Sequence, residues 1–445
     1  MSAIRPKDRD SLIQALRTGV VPRTGQHLIQ VGRLREIEGL LKDIERIADG
    51  GTAFRIMVGE YGAGKTFFLN LIRAIALEKK LVTASADLNP DRRLHGTGGQ
   101  ARSLYAELAK NLATRTKPEG GALAGIVEKF IFTATGEAKA TNVEVDVVIH
   151  KKMEKLAEMV NGYDFAHVIG AYWRGHTEGN QDLKANALRW LRGEFTTKTD
   201  ARAALGVRTI VDDATIYDQL KLMSLFVRLA GFSGLLVCLD EMVNLYKLAN
   251  TQARNSNYEQ ILRILNDMLQ GTTEGLGFIL GDTPEGVMDT RRGLYSYSAL
   301  QSRLAENTFA KAANVVDYNH PVLRLASLSP EELLVLLGKI QNVFAYGDES
   351  RHPLPEEALT GFMTHCQQRI GEAYFRTPRT TITAFCNLLS VLEQNPSLDW
   401  REVLGQVEIT KDNGATNDLA VESVEPGLLG SMNSSNDEFA SFKLN

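Results

Sequence analysis

Apolar residues change their spacing several times along this chain, and each change marks an element. Leu34, Ile37, Leu40, Leu41, Ile44 and Ile47 recur at helical spacing, which predicts an amphipathic helix over 34–48. Gly50-Gly51 break that pattern, and the continuous apolar run 54–58 predicts a buried strand. Phe67, Phe68, Leu71, Ile72 and Ile75 return to the helical period over 67–77. A second strand follows over 81–86, ends in Asp87 and leads into a polar loop over 89–99. Strand, helix and strand in that order form a βαβ unit, so a parallel sheet flanked by helices is expected. Two more runs of strand length, 235–239 and 276–280, end in Asp240-Glu241 and in Gly281-Asp282-Thr283.

Between these strands, residues 101–230 are mostly helical in pattern, with glycine interruptions at Gly120-Gly121, Gly175 and Gly193. The segment 143–149 fits either a short strand or a buried helix. Helical spacing resumes at Pro330-Glu331-Glu332 and continues to about residue 407. Residues 1–30 read as a polar, loop-rich arm, and 408–445 lose all periodicity and read as a disordered acidic tail. The expected organisation is therefore an arm (1–30), an α/β core (31–325) with a helical insertion at about 100–230, an all-helical domain (326–407) and the tail.

Composition narrows the class without choosing a function. A hydrophobic fraction of 44% and a charged fraction of 23% are ordinary for a soluble globular chain. A net charge of −4 argues against coating nucleic acid along the whole length, though not against a local basic strip. Cys238, Cys366 and Cys386 lack metal-ligand spacing and read as core residues in a reducing compartment. No membrane-span pattern or signal-peptide h-region is visible, so a cytoplasmic protein is expected.

The chemistry concentrates at Gly59-Glu60-Tyr61-Gly62-Ala63-Gly64-Lys65-Thr66, a full G-x-x-x-x-G-K-[ST] match between a predicted strand and the helix that opens at Phe67. That context makes an anion cradle. Backbone N–H groups converge on phosphate oxygens, and the helix dipole adds positive potential. Lys65 would reach the β- and γ-phosphates, and the Thr66 hydroxyl would ligate Mg²⁺. A chance match on an ordinary turn would not need both flanks to be correct.

A phosphate loop alone implies only nucleotide; hydrolysis needs a metal carboxylate and a water activator. Asp240 at its strand tip suits the first role and Glu241 the second. Either Asp282 or Thr283 would orient the water from the next strand end, where open α/β sheets bind ligands. The plainer reading of Asp282 is a turn residue before Pro284.

The order of these features resembles the AAA+ ATPases, close to the origin-recognition and archaeal-initiator branch. Within that superfamily the chain resembles the BREX-type ATP-binding proteins of bacterial anti-phage defence. The resemblance rests on the stretch Val58 to Thr66, on Asp87 to Gly96, on Arg189-Trp190-Leu191-Arg192-Gly193-Glu194 and on Leu239-Asp240-Glu241. It covers roughly residues 20–405 and implies a P-loop NTPase core, a helical lid, ATP and Mg²⁺ as ligands, and self-association through nucleotide-bridged interfaces. It also implies a defence-system partner such as a helicase. By the same resemblance Gly32-Arg33 flanks adenine, and Arg303 acts as a finger on a neighbouring subunit, with Arg291 and Arg292 as competitors. Arg379, with Arg376 close by, would be the lid arginine that senses the γ-phosphate. Glu60 departs from the usual pattern by placing an acid inside the phosphate loop.

Two features leave nucleic acid open. No winged-helix segment follows residue 407, which counts against an initiator-like DNA loader. In the insertion, Arg174, Lys184, Arg189, Arg192, Lys198, Arg202 and Arg208 interleave with Trp173, Trp190 and Phe195. That pattern suits phosphate contact with base stacking, and equally a solvated face over core tryptophans. Lys151, Lys152 and Lys155 carry the same ambiguity. In the tail, Glu422, Glu425, Asp437 and Glu438 surround Leu428-Leu429 and the apolar end from Phe439 to Leu444, a pattern that fits a docking motif or an inert tail. The alternative to an ATPase is an ATP-gated assembly switch with negligible turnover.

Overall fold

The structure, a computed structural model, describes residues 4–22 and 24–407. The expectations for the tail therefore lie outside the described residues. The centre is a five-stranded sheet of β1 (Thr52–Val58), β2 (Val82–Asp87), β3 (Leu235–Asp240), β4 (Leu276–Asp282) and β5 (Val322–Arg324). Its order is β2-β3-β4-β1-β5, and every pairing is parallel.

Both faces of the sheet are covered, which is why its strands read as continuous apolar runs rather than as alternating ones. Ile56, Val58, Val237, Leu239, Phe278 and Leu280 join a core shared with the insertion. The alternate residues Met57, Leu236, Cys238 and Ile279 pack on the other face against the helices Leu34–Ala48 and Lys65–Glu78. The one charge inside β1, Arg55, is buried and paired with buried Asp43, which accepts from Nη2 at 3.1 Å and also from Nε. A buried pair of this kind is tolerated because its hydrogen bonds are made.

The insertion is helical, as its pattern predicts, from Gln100–Lys110 through Ile216–Leu229. In the ambiguous segment 143–149, Val145 onward forms the start of the helix Val145–Ala157, with Glu144 at its N-cap. Gly175 does not interrupt anything. It lies inside the helix Gly162–Thr177, where a Cβ would stand 2.9 Å from the Asn180 carbonyl oxygen and from Lys184 Cγ. Glycine is there to let the next helix approach. Cys238, Cys366 and Cys386 are buried free thiols, as their apolar surroundings imply.

A separate core gathers the helices Pro330–Phe344, Glu356–Ile370 and Arg379–Gln394. The N-terminal stretch joins it, contrary to the expectation of a loop-rich arm. Pro6–Arg17 is a helix whose Leu12, Ile13 and Leu16 are buried in that core. Its apolar stripe is short, so the packing partner rather than intrinsic periodicity stabilises it. Arg9 fixes the contact by donating to the Phe344 carbonyl and to Glu393. Leu12→Ala is expected to destabilise the protein by about 2–5 kcal/mol in chemical denaturation, because Leu12 is fully buried. Gln14→Ala on the exposed face of the same helix should change stability by less than about 0.5 kcal/mol.

Candidate nucleotide-binding site

The candidate site lies along the carboxyl ends of β1, β3 and β4. β1 runs into the loop from Gly59 to Gly64, and the helix Lys65–Glu78 starts immediately after it. Gly62 and Gly64 take φ values of 78° and 86°, the left-handed region that a side chain resists. No side chain caps the helix, so its first amides face the loop as donors. Lys65 Nζ donates to the carbonyls of Gly59 (2.8 Å) and Glu60 (3.1 Å), which holds the ammonium at the mouth of the loop. Burial lowers its pKa, and Asp240, Glu241 and Asp282 oppose that shift. Glu60 is exposed, and Tyr61 is 42% exposed.

β4 lies between β1 and β3, and the registers align their tips. Val58 pairs with Asp282 across one junction, and Asp87 pairs with Asp240 at the far side of β3. The Thr66 hydroxyl donates to Asp240 Oδ2 at 2.6 Å, joining residues 174 positions apart. The other oxygen of Asp240 accepts from the Glu241 amide at 2.9 Å. Glu241 then turns out of the strand with φ 59° and stands exposed at the rim. Its carboxyl pKa is raised, first by desolvation among the crowded strand tips and then by Asp240.

Asp282 and Thr283, indistinguishable by sequence, occupy different environments. Thr283 Oγ1 is used as the cap of the helix Pro284–Met288, accepting from the Gly286 amide. Asp282 is 2% exposed and accepts from the Thr283 amide at 2.8 Å. Burial pushes its pKa up to about 8, so it is mostly protonated at neutral pH and can donate a hydrogen bond. Lys65, Asp240 and Glu241 are its charged neighbours. Asp87, at the tip of β2, joins the same cluster, and its pKa is raised by desolvation and by Asp240.

Two arginines reach the loop from elsewhere. Arg33, itself in the left-handed region at φ 56°, donates from Nη2 to the Ala63 carbonyl (2.7 Å) and to that of Ala326 (3.1 Å). Its guanidinium lies 5.9 Å from the centre of the Phe68 ring, and burial lowers its pKa. Arg33 therefore braces the loop with its side chain, a contact that a box read as adenine-flanking backbone did not suggest. Arg379 opens the helix Arg379–Gln394 and donates from Nη1 to the Tyr61 hydroxyl at 2.9 Å, across 318 residues.

The remaining candidates separate clearly. Arg376 pairs with Glu372, the N-cap of its own short helix, at 2.7 Å. Arg292 lies over the Tyr246 ring and donates to the carbonyls of Tyr246 and Leu248, a structural use. Arg291 is exposed. Arg303 is exposed too, and its guanidinium is held by Asn266 (2.7 Å) and the Ala299 carbonyl (2.9 Å). Neither of those partners belongs to the loop or to the strand tips.

Thr66 and Asp240 offer two hard oxygens side by side. That donor set fits Mg²⁺, which takes one or two carboxylates together with substrate phosphates and water. Among the described residues no helix is long and apolar enough to cross a membrane.

In the insertion, Trp190 and Phe195 are core residues, and the Trp190 ring donates to the Thr209 carbonyl at 2.8 Å. Arg189 stacks its guanidinium 4.6 Å from the Phe195 ring centre. Lys152 and Lys155 pair with Glu137 and Glu274. The aromatic half of the basic-aromatic pattern is thus largely used in packing.

A family model described as BREX system ATP-binding protein BrxC/D matches residues 4–408. No match was found among curated proteins.

Proposed function

Because the chain belongs to the BREX system ATP-binding protein BrxC/D family, we propose that it binds ATP at the phosphate loop and hydrolyses it with Mg²⁺, as an AAA+ ATPase within a multi-protein anti-phage system. The observation that carries this reading is the 2.6 Å hydrogen bond from Thr66 to Asp240, which joins the phosphate loop to the acidic strand tip. Loop amides and Lys65 bind the triphosphate. Thr66 and Asp240 hold Mg²⁺, which when bound screens phosphate charge. Glu241 accepts the proton of the attacking water, and its raised pKa suits a base working nearer neutrality. Asp282, carrying its proton, orients that water by donating or relaying a hydrogen bond.

The helical domain over 326–407 acts as the lid, and its Arg379 reads the γ-phosphate. The contact that supports this is Arg379 on Tyr61, inside the loop itself. Arg303 acts in trans on a neighbouring copy, a reading supported by its exposure and by partners that belong to none of the site's elements. Nucleotide-bridged assembly follows, with a helicase or DNA as further partners.

Particle mass and turnover measured over a range of protein concentrations test the trans role. The wild type should gain mass with ATP and magnesium, and its activity per chain should rise with concentration. Arg303→Ala should keep its ATP affinity and lose the concentration dependence. A wild type that remains monomeric, with the same activity per chain at every dilution, removes Arg303 from the mechanism. Turnover far below about one per minute, against the ~10 s⁻¹ of a typical enzyme, would favour an assembly switch.

A further inference from the structure

Tyr61 stands at the third position of the phosphate loop, a position at which the loop geometry requires no particular side chain. Here it is not idle. Its hydroxyl accepts from Arg379 Nη1 at 2.9 Å, and the guanidinium carbon lies 5.7 Å from its ring centre. The contact sits in a tight seam. A Cβ on Gly62 would lie 3.5 Å from Thr377 Cβ and 3.8 Å from Arg379 Cβ, so the gap between the loop and the start of the Arg379–Gln394 helix is about one carbon wide. On the far side, a Cβ on Gly19 would approach Arg379 Nε to 3.2 Å, and Thr383 donates to the Leu16 carbonyl.

We infer that Tyr61 is a positioning residue that competes with phosphate oxygens for Arg379, so that the loop itself sets how readily the lid arginine engages nucleotide. This deepens the function proposed above and rests on it. The Nη1 hydrogen that donates to the phenol must leave it, or be shared, before it can donate to a γ-phosphate. Phosphate is the stronger acceptor, but the exchange costs part of the binding energy.

Tyr61→Phe keeps the ring and removes only the acceptor. Calorimetric titration with ATP and magnesium is expected to show a Kd roughly three- to tenfold lower than wild type, the range of one charged hydrogen bond discounted for a half-exposed setting. In an Arg379→Ala background the same substitution should have no effect, because the two residues form one coupled unit. Unchanged or weaker binding in Tyr61→Phe, or an equal shift in both backgrounds, overturns the inference.

A second readout needs no nucleotide. Hydrogen–deuterium exchange of the nucleotide-free protein should quicken in peptides covering 59–66 and 377–382 in Tyr61→Phe, and unchanged exchange there also overturns the inference. If wild type binds no ATP at all, the proposed function fails, and the exchange result alone decides the Tyr61–Arg379 link.

Discussion

Replacing Lys65 by alanine is expected to weaken ATP binding roughly 100-fold, enough to remove it from a thermal-shift or calorimetric assay. The magnitude follows from the setting. Lys65 is the cation at the mouth of a loop near four carboxyl groups, those of Asp240, Glu241, Asp282 and Glu60. Without the ammonium, Asp240 and Glu241 face the triphosphate with one compensating cation fewer, and like charges at short range oppose binding. The fold should survive, because Lys65 bonds only to its own loop, at the Gly59 and Glu60 carbonyls. Unfolding of the nucleotide-free variant within about 0.5 kcal/mol of wild type would confirm that binding, not folding, was lost. Full ATP affinity in this variant would contradict its phosphate-binding role.

Glu241→Gln should separate binding from chemistry. Glutamine keeps the shape and the polarity of the side chain but cannot take a proton from water. The exposed rim position means that the substitution leaves no buried group unpaired. ATP affinity should therefore hold, while single-turnover hydrolysis falls about 10²–10⁴-fold, the usual contribution of a positioned base. The wild-type pH profile gives an independent check. The base must be ionised to act, and its pKa is raised, so activity should fall on acidification at a higher pH than an ordinary glutamate would require. A Glu241→Gln rate equal to wild type would assign the base elsewhere, with Asp87 the next carboxylate to test because it lies opposite Asp240 in register.

Much of this site was legible in the sequence because its backbone is buried. β1, β3 and β4 are covered on both faces, so they appear as unbroken apolar runs, and the acids that follow mark their carboxyl ends. β5 escaped because Val322–Arg324 spans only three residues and ends in an arginine, too short for any period to show. The Pro6–Arg17 helix escaped for another reason: its buried face is completed by residues more than 300 positions away, among them Phe344, whose carbonyl accepts from Arg9.

Side-chain neighbours were readable only where a motif fixes them. Thr66 and Asp240 meet as the motif requires. The choice between Asp282 and Thr283 depends on which of them caps a five-residue helix, a matter of local geometry that spacing does not encode. The Arg33 contact with Ala63 depends on a left-handed backbone at a non-glycine residue, which a sequence does not announce. Tyr61 meets Arg379 only because the helical domain folds back over the loop.

The most direct test of the central claim is calorimetric titration of ATP and magnesium into the full-length protein, with Lys65→Ala as the control. The expected result is saturable binding of one ATP per chain that disappears in the variant. No saturable heat at millimolar ATP, from a folded wild-type sample, would contradict a nucleotide held between the phosphate loop and the Asp240-Glu241 pair.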